Sequence, residues 1–379
     1  MRIWPVKDDP LLGAPERFIS RDELKELVRR LTDNLVRITD ETGECRLTLD
    51  DGRVIDTKGW RGWEWTHGIG LYGVWRYYEQ TREPAMRQVI DNWFAERFQE
   101  GATTKNVNSM APFLTLAFRY EESGDATWLP WLDAWAEWAM RDMPRTPRGG
   151  MQHMTIVEAN HWQLWDDTLM MTVLPLAKIG LVLGRPAYVE EATFQFLTHA
   201  QHLQDRATGL WFHGWTFDGC HNFAEARWAR GNSWATIAIP DFLELLDPPQ
   251  GCPVRRFLLE LLDAQASALA ACQDETGLWH TLLDDPTSYL ESSATAGFAY
   301  GLLKAVRLGY LPAAYRDVAE RAVRGVITQI SADGELLGVS TGTPMGRDLE
   351  FYRRVPLTAM PFGQAMAILC LAEYLRTYY

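Results

Sequence analysis

Two kinds of helical segment alternate along this chain. One kind is apolar and rich in small residues on nearly all faces, as in PFGQAMAILCLAEYLRTYY (361–379), a pattern typical of a buried helix. The other kind carries charge on one face and apolar residues on the opposite face, as in ELKELVRRLTDNLVRI (23–38). The alternation predicts about twelve helices, buried and amphipathic in turn.

Turn signals separate these segments. SRDE (20–23) predicts a capped helix start. Apolar segments end at glycine followed by a turn, as in SG (123–124), GRP (184–186) and GYLP (309–312). Long β-patterned runs are nearly absent, which disfavours an α/β fold. The simplest architecture is an all-α (α/α)6 barrel of inner and outer helices, and an open helical solenoid is the alternative. No linker divides the chain, so we expect a single catalytic domain over 1–379.

Composition narrows the possible partners. The chain is 47% hydrophobic and 23% charged, as in soluble globular proteins. A formal charge of −13 argues against nucleic acid, which needs a basic surface. No apolar run is long enough to span a bilayer, and the MRIWP start lacks a signal-peptide core. Five separated cysteines without a C-x-x-C pair favour reduced thiols. We expect a cytoplasmic protein with no nucleic-acid or membrane partner, and the oligomeric state stays open.

Polar residues of unusual kinds collect at the predicted starts of the inner helices: His67, Asn106, Asn108, Asp166, Asp167, Arg230 and Glu291. In a barrel of helical hairpins all inner helices run the same way, so these starts would meet at one mouth. A concave site with convergent polar groups is the default expectation for a binding site. The stretch 160–246 adds several tryptophans, whose faces suit sugar rings. The pattern therefore predicts a carbohydrate active site at this mouth.

Asp166 and Asp167, the two adjacent acids of this stretch, differ in how well they suit a catalytic role. Asp166 can simply cap a helix, since a carboxylate is favoured at a helix N-terminus. Asp167 is the better candidate for chemistry because Trp162 and Trp165 can supply an apolar wall. Burial and the neighbouring acid would raise the pKa of Asp167, whereas the helix dipole would lower it. The sequence leaves that balance open.

A cation and two histidines complete the candidate site. Arg230 lies between Trp228 and Trp234 in the sequence, and a cation between aromatic rings suits a planar carboxylate. The alternative role is a structural salt bridge. His153 and His213 follow loop motifs, GGMQHM and LWFHGW, which favours the mouth over the core. There is no H-E-x-x-H motif, EF-hand spacing or Cys/His cluster, which disfavours a metal site.

Three segments carry a family resemblance: LWDDTLMMTVLPLAKIG, TGLWFHGWTFDGCHNFAEARWARGNSW and WTHGIGLYGVW. They resemble glycoside hydrolase family 105, whose members are unsaturated rhamnogalacturonyl hydrolases. The likeness extends along nearly the whole chain and includes two long signatures, W-x-D-T-L-x-M and W-x-R-G-N-x-W. The resemblance implies an (α/α)6 barrel and no metal or organic cofactor. Within the family, the chain resembles in particular the intracellular bacterial branch that acts on rhamnogalacturonan fragments.

The resemblance also implies a hydration mechanism. Substrates of this family end in a uronic acid with a C4–C5 double bond, so the ring is a vinyl ether. The family's aspartate, which the motif places at Asp167, protonates C4, and water adds at C5. The resulting hemiketal opens and releases the next sugar. One carboxylate can serve first as acid and then as base.

The same motif match implies which residues contact the sugar: Arg230, Trp234, His213 and His153, with Trp165 nearby. We also expect Asn108, His67 and Asp166 to take part. Many relatives carry an aspartate in an N-x-D pattern where this chain has NVN (106–108). An amide cannot act as an acid, so a second-carboxylate role stays open. Asp166 could fill it, although adjacent side chains on a helix point in different directions.

The main hypothesis is therefore a hydrolase that removes unsaturated galacturonic acid from rhamnogalacturonan-derived oligosaccharides. The first alternative is an unsaturated glucuronyl hydrolase that acts on other polysaccharide-lyase products. The second is a non-catalytic sugar-binding helical protein. The sequence does not identify the sugar beyond the scissile bond or the accepted chain length.

Overall fold

The computed structural model describes residues 17–49, 52–101 and 103–379. This part of the chain contains thirteen α-helices: α1 (Arg21–Arg37), α2 (Trp65–Thr81), α3 (Pro84–Glu100), α4 (Pro112–Ser123), α5 (Leu129–Glu137), α6 (Leu174–Val182), α7 (Pro186–Leu203), α8 (Ala229–Leu246), α9 (Pro253–Cys272), α10 (Ser292–Arg307), α11 (Arg316–Thr328), α12 (Leu349–Arg353) and α13 (Pro361–Tyr378). Within the same ranges, no helix combines the length and apolar character needed to cross a membrane.

Six helices pack side by side in a closed ring, in the order α2, α4, α6, α8, α10 and α13, and α13 returns to pack against α2. The outer helices α1, α3, α5, α7, α9 and α11 each pack against one or two members of this ring. The predicted (α/α)6 barrel is confirmed. Contact between the last and first inner helices excludes the open solenoid.

The inner helices approach one another closely because they carry small residues at their contacts. A Cβ on Gly301 of α10 would lie 2.2 Å from the Thr236 carbonyl oxygen of α8. A Cβ on Gly73 of α2 would lie 2.6 Å from the Ala365 carbonyl oxygen of α13. Neither distance is compatible with a real side chain, so glycine at these positions sets the spacing of the ring.

The outer helices follow their amphipathic patterns. In α1 the buried side chains are those of one helical face, including Leu24, Val28 and Leu35. Its start has the predicted capping box: the Ser20 hydroxyl accepts the Glu23 N–H, and the Glu23 carboxylate accepts the Ser20 N–H.

Short strands connect the helices in three antiparallel pairs: β1 (Arg46–Thr48) with β2 (Val54–Asp56), β3 (Gln163–Trp165) with β4 (Gly214–Thr216), and β5 (Trp279–His280) with β6 (Leu290–Glu291). β3 ends just before the third inner helix, and β6 ends at the residue before α10. A π-helical turn, Leu169–Val173, lies between β3 and α6. Such turns occur often at functional sites. The strand pairs thus hold the loops that surround the starts of the inner helices.

Candidate active site

The β3–β4 pair brings the predicted acid and a predicted histidine together. Trp165 pairs with Gly214, and the Asp166 N–H donates to the His213 carbonyl oxygen at 3.1 Å. As a result, one carboxyl oxygen of Asp166, one of Asp167 and a ring nitrogen of His213 lie within 4.8 Å of one another. Two acids before the third inner helix and a histidine from the loop before β4 therefore form one cluster.

Asp167 is the member of this cluster that reaches solvent. Its side chain is 15% exposed, and its Oδ2 lies 3.4 Å from Nε2 of the buried His213. Burial acts to raise the pKa of Asp167, but the nearby Nε2 hydrogen of His213 lowers it below the ordinary value. The balance that the sequence left open thus favours an ionised Asp167.

Asp166 has the opposite electrostatic state. Its side chain is fully buried, and burial together with the charge of Asp167 holds the pKa of Asp166 well above the ordinary value. Two carboxyl groups this close do not both ionise at neutral pH, because each charge penalises the other. The pair therefore carries one proton, and this proton lies on Asp166.

A tyrosine from a distant part of the chain orients His213. The Tyr352 hydroxyl lies 2.7 Å from His213 Nδ1, accepts the Gly346 N–H at 3.1 Å, and lies 3.7 Å from the Met345 sulfur. Its single proton goes to the imidazole nitrogen, since thioether sulfur is the weaker acceptor. Nδ1 then accepts, and Nε2 carries the hydrogen that faces Asp167.

Trp165 and His153 form a stacked and almost fully buried pair of rings beside the acids. Their rings stack at 4.1 Å with an interplanar angle of 8°, and the His153 Nδ1 lies 2.9 Å from the Thr168 hydroxyl. Burial lowers the pKa of His153 to about 3, so this ring is neutral. The edge of Trp165 also meets His213 at 5.2 Å. Three of the predicted sugar-contacting residues therefore pack against one another.

Arg230 is held between two aromatic rings, but the second ring is not the one that the sequence suggested. Its guanidinium carbon lies 4.6 Å from the centre of the Trp228 ring and 4.7 Å from that of Phe362. Trp234 is fully buried behind Trp65, with its indole N–H unpaired. The half-buried Trp65, which stacks on Phe362 at 4.5 Å, lies nearer the mouth than Trp234.

The hydrogen bonds of Arg230 go largely to the loop before α12. Nη1 donates to the Ser340 carbonyl oxygen at 3.0 Å, and Nη2 donates to the Thr341 carbonyl and the Thr343 hydroxyl at 2.7 and 2.8 Å. The buried Glu291 carboxylate lies 3.6 Å from Nη1, which is the structural ion pair considered as the alternative role. Only Nε lacks a hydrogen-bond partner. Binding of a substrate carboxylate by Arg230 stays a prediction.

The structure does not make His67 available to a sugar. Its Nδ1 accepts the Glu64 N–H at 3.0 Å, and its Nε2 donates to the Gly59 carbonyl oxygen at 2.7 Å. The ring is fully buried, and burial lowers its pKa to about 4. His67 therefore caps the start of α2, because a side chain in the first helical turn can reach back to the preceding backbone.

Asn108 lies beside a carboxyl group that sequence reasoning missed. The side chains of Asn106 and Asn108 both approach the buried Glu64, whose pKa burial raises to about 7. Glu64 precedes α2 and stands between two tryptophans in WEW (63–65), a signal that was present in the sequence. A carboxyl group from the start of α2 therefore lies beside Asn108, which precedes α4.

The spacing of Asp166, Asp167 and His213 is short enough for a metal ion. The contacts of His213 favour another use. The Tyr352 hydroxyl occupies Nδ1, so the Nε2 hydrogen, and not a lone pair, faces Asp167. We therefore interpret the cluster as an acid pair with its histidine, and we assign no metal ligands.

Comparisons with known proteins show the family of this chain. The family model described as Glycosyl Hydrolase Family 88 matches residues 20–378. The unsaturated rhamnogalacturonyl hydrolase YesR of Bacillus subtilis is 33% identical over 83% of this chain and 90% of its own length. Crystal structures of possible family 105 members from Salmonella enterica and Klebsiella pneumoniae are 68% and 69% identical, with TM-scores of 0.96 and 0.95 and full coverage of both chains. The resemblance to family 105 is confirmed, and the chain belongs to glycosyl hydrolase family 88 and is a glycoside hydrolase.

Proposed function

We propose that this enzyme removes the unsaturated galacturonic acid from the non-reducing end of rhamnogalacturonan-derived oligosaccharides by hydration of its C4–C5 double bond. The observation that carries the proposal is the position of Asp167. It is the partly exposed acid of the mouth, with His213 on one side and the acid Asp166 on the other. The substrate class is supported by the name of the Bacillus subtilis relative, which matches most of both chains.

The chemistry follows from the vinyl ether. Protonation of C4 leaves positive charge at C5, spread onto the ring oxygen, and the ionised acids stabilise that charge. Asp167 delivers the proton and then accepts one from the water that attacks C5. The hemiketal at C5 opens, and the next sugar leaves. No displacement at C1 is needed, so a second carboxylate on the opposite face of the ring is not required.

The remaining residues bind and orient the sugar. Trp165 and His153 are the predicted contacts for the flat unsaturated ring, and the sugar would meet the small exposed part of the Trp165 side chain. Arg230 is the predicted partner of the uronate group. A uronate that reaches this arginine has to displace a loop acceptor, such as the Thr343 hydroxyl at 2.8 Å, or approach Nε. The Ser340–Thr343 loop would then take part in substrate binding.

The proposed activity is tested by measuring the loss of the C4–C5 double bond. Ultraviolet absorbance of the conjugated uronate should fall when the enzyme consumes an unsaturated galacturonyl-rhamnose disaccharide. Asp167→Asn should lower kcat by about 10²–10⁴-fold, since it removes the acid and base but keeps the side-chain shape. Asp33→Asn, on the exposed face of α1, is the matched control and should keep full activity.

Three outcomes would contradict parts of the proposal. No fall in absorbance with any unsaturated uronide would end it, and recovery of unchanged ligand would favour a sugar-binding protein. Preference for a glucuronyl substrate in side-by-side kinetics would support the alternative substrate class. Full activity of Asp167→Asn would refute the residue assignment alone. A cytoplasmic location and a single catalytic domain stay predictions.

A further inference from the structure

The hydration mechanism uses Asp167 as acid and base, but it assigns no role to Asp166, the neighbouring acid at the mouth. None of its side chain is exposed, and neither carboxyl oxygen has a well-formed hydrogen bond from an N–H or O–H group. A buried carboxylate without donors is unfavourable enough to take up a proton instead. The side chain that Asp166 can share this proton with is Asp167.

Helix α8 fixes the position of Asp166. Its carboxyl group fills the space beside Gly231, where a Cβ would lie 2.3 Å from Oδ2 and 2.8 Å from Cγ. The same group lies within the cluster formed with Asp167 and His213. The glycine of the R-G-N signature thus makes room for Asp166. The two adjacent side chains can meet because Asp166 lies in the turn between β3 and the helix, outside regular helical geometry.

The charged groups around the pair favour one proton in total. His213 presents its N–H to Asp167, and the Arg230 cation acts on Asp167 at longer range, whereas the neutral His153 ring adds no charge. The Tyr352 hydroxyl lies beyond His213 and stays protonated, because burial and both acids raise its pKa. His213 and Arg230 thus favour a negative charge on Asp167, and none of these four groups donates to Asp166. The pair therefore titrates as one unit.

We propose that Asp166 is a positioning residue that stores the proton which Asp167 delivers to C4, and that takes a proton back after water adds at C5. This inference depends on the proposed function and deepens it. It explains how Asp167 can act as an acid although His213 keeps it ionised at rest.

The proton balance closes over one turnover. The Asp166 proton passes to Asp167 and from there to C4, where the π electrons of the double bond form the new C–H bond. Both acids are then ionised beside the positive C5 centre. Water forms the C5–O bond, and one of its protons returns through Asp167 to Asp166. The sugar has gained the elements of water, and the pair again holds one proton.

The decisive experiment is the pH profile of kcat/KM for Asp166→Asn. In the parent, activity should fall on the alkaline side only where the pair loses its last proton. In the variant, Asp167 must hold the proton alone, so this alkaline limb should move to lower pH by at least one unit. At a pH above the limb, each unit of movement lowers the rate about tenfold. The position of a limb does not depend on how much of the variant folds.

A second variant disturbs the pair of Asp166 and Asp167 through a residue of α8. Gly231→Ala pushes its new methyl group against the Asp166 carboxyl and should move the limb in the same direction. Gly251→Ala is the control, since no atom lies within 4 Å of its added Cβ. A loss of rate that is equal at every pH, with the limb unmoved, would show that Asp166 is only structural and would overturn the inference.

A readout without substrate separates this inference from the proposed function. The infrared difference spectrum between the parent and Asp166→Asn at neutral pH should show the carbonyl stretch of a protonated carboxyl group in the parent. Absence of that band would overturn the inference even if the enzyme is active. A parent that consumes no unsaturated uronide, but shows the band, would contradict the proposed function instead.

Discussion

Glu64 illustrates how a single buried acid changes the pH dependence of the whole fold. Burial raises its pKa to about 7, above the 4.5 of an exposed glutamate. Below pH 4.5 the group is neutral in both the folded and unfolded protein. As pH rises towards 7, the unfolded protein releases this proton first, so the stabilising contribution of neutral Glu64 is lost. The total loss is on the order of 3 kcal/mol.

Glu64→Gln removes this titration and keeps the shape of the neutral acid. The variant should therefore gain free energy of unfolding relative to the parent between pH 5 and pH 8, on the order of 3 kcal/mol at the upper end. Urea denaturation of both proteins at several pH values measures the difference. A difference that stays constant over this range would show that Glu64 is already ionised in the folded protein.

Residue types in the motifs predicted which side chains would collect at the mouth, and the structure shows where that inference stops. Asp167, His213, Trp165 and His153 form one group because the motif residues flank β3 and β4, which pair. His67 also precedes an inner helix, but its ring turns back to the Glu64 N–H. Residue type and position along the chain do not encode that choice of rotamer.

At the scale of elements, α12 affects the site through one hydroxyl group. The helix is five residues long, its start is capped by the Asp348 carboxylate, and Arg353 pairs with Asp285 at 2.8 Å. These contacts hold Tyr352 against His213 and Trp228. No hydrophobic period in 338–360 predicted a helix there, because so short an element has no repeating buried face.

Tyr352→Phe tests this role of α12. The ring packing is kept, but His213 Nδ1 loses its donor, so the tautomer with N–H towards Asp167 is no longer favoured. The loss of one hydrogen bond of about 1.4 kcal/mol corresponds to roughly a tenfold lower kcat. Nitrogen NMR of His213 should show the tautomer change. Tyr315→Phe, which removes a half-buried hydroxyl beside Asp263 of the outer helix α9, is the control. An unchanged kcat in Tyr352→Phe would exclude the proposed orientation.

At the scale of the whole molecule, the helical alternation predicted the barrel because the inner helices are apolar on nearly all faces. The loops that complete the mouth were not predictable in the same way. Arg230 bonds to Ser340, Thr341 and Thr343, which lie far away in the sequence and contain no recognisable motif. These contacts depend on closure of the ring. The chain between α10 and α13, which includes residues 340–343, is thereby held against Arg230 of α8.

The ring is also joined by a buried ionic network well below the mouth. Lys304 of α10 forms an ion pair with Asp241 of α8, and the Tyr72 and Tyr300 hydroxyls donate to the same carboxylate at 2.7 and 2.8 Å. Lys304 is fully buried and also lies 2.5 Å from Glu244. Three inner helices, α2, α8 and α10, therefore meet at one carboxylate.

Lys304→Met should destabilise the protein by about 3–5 kcal/mol, because Asp241 keeps its buried charge and loses its cation. The double variant Lys304→Met/Asp241→Asn leaves no unpaired charge and should recover part of this loss. Arg354→Met, which breaks an exposed pair with Glu350, should cost less than about 1 kcal/mol. Chemical denaturation measures all three. Because the network lies outside the acid pair, the folded fraction of Lys304→Met should keep the parental pH profile, and a moved profile would show that the two ends of the barrel are coupled.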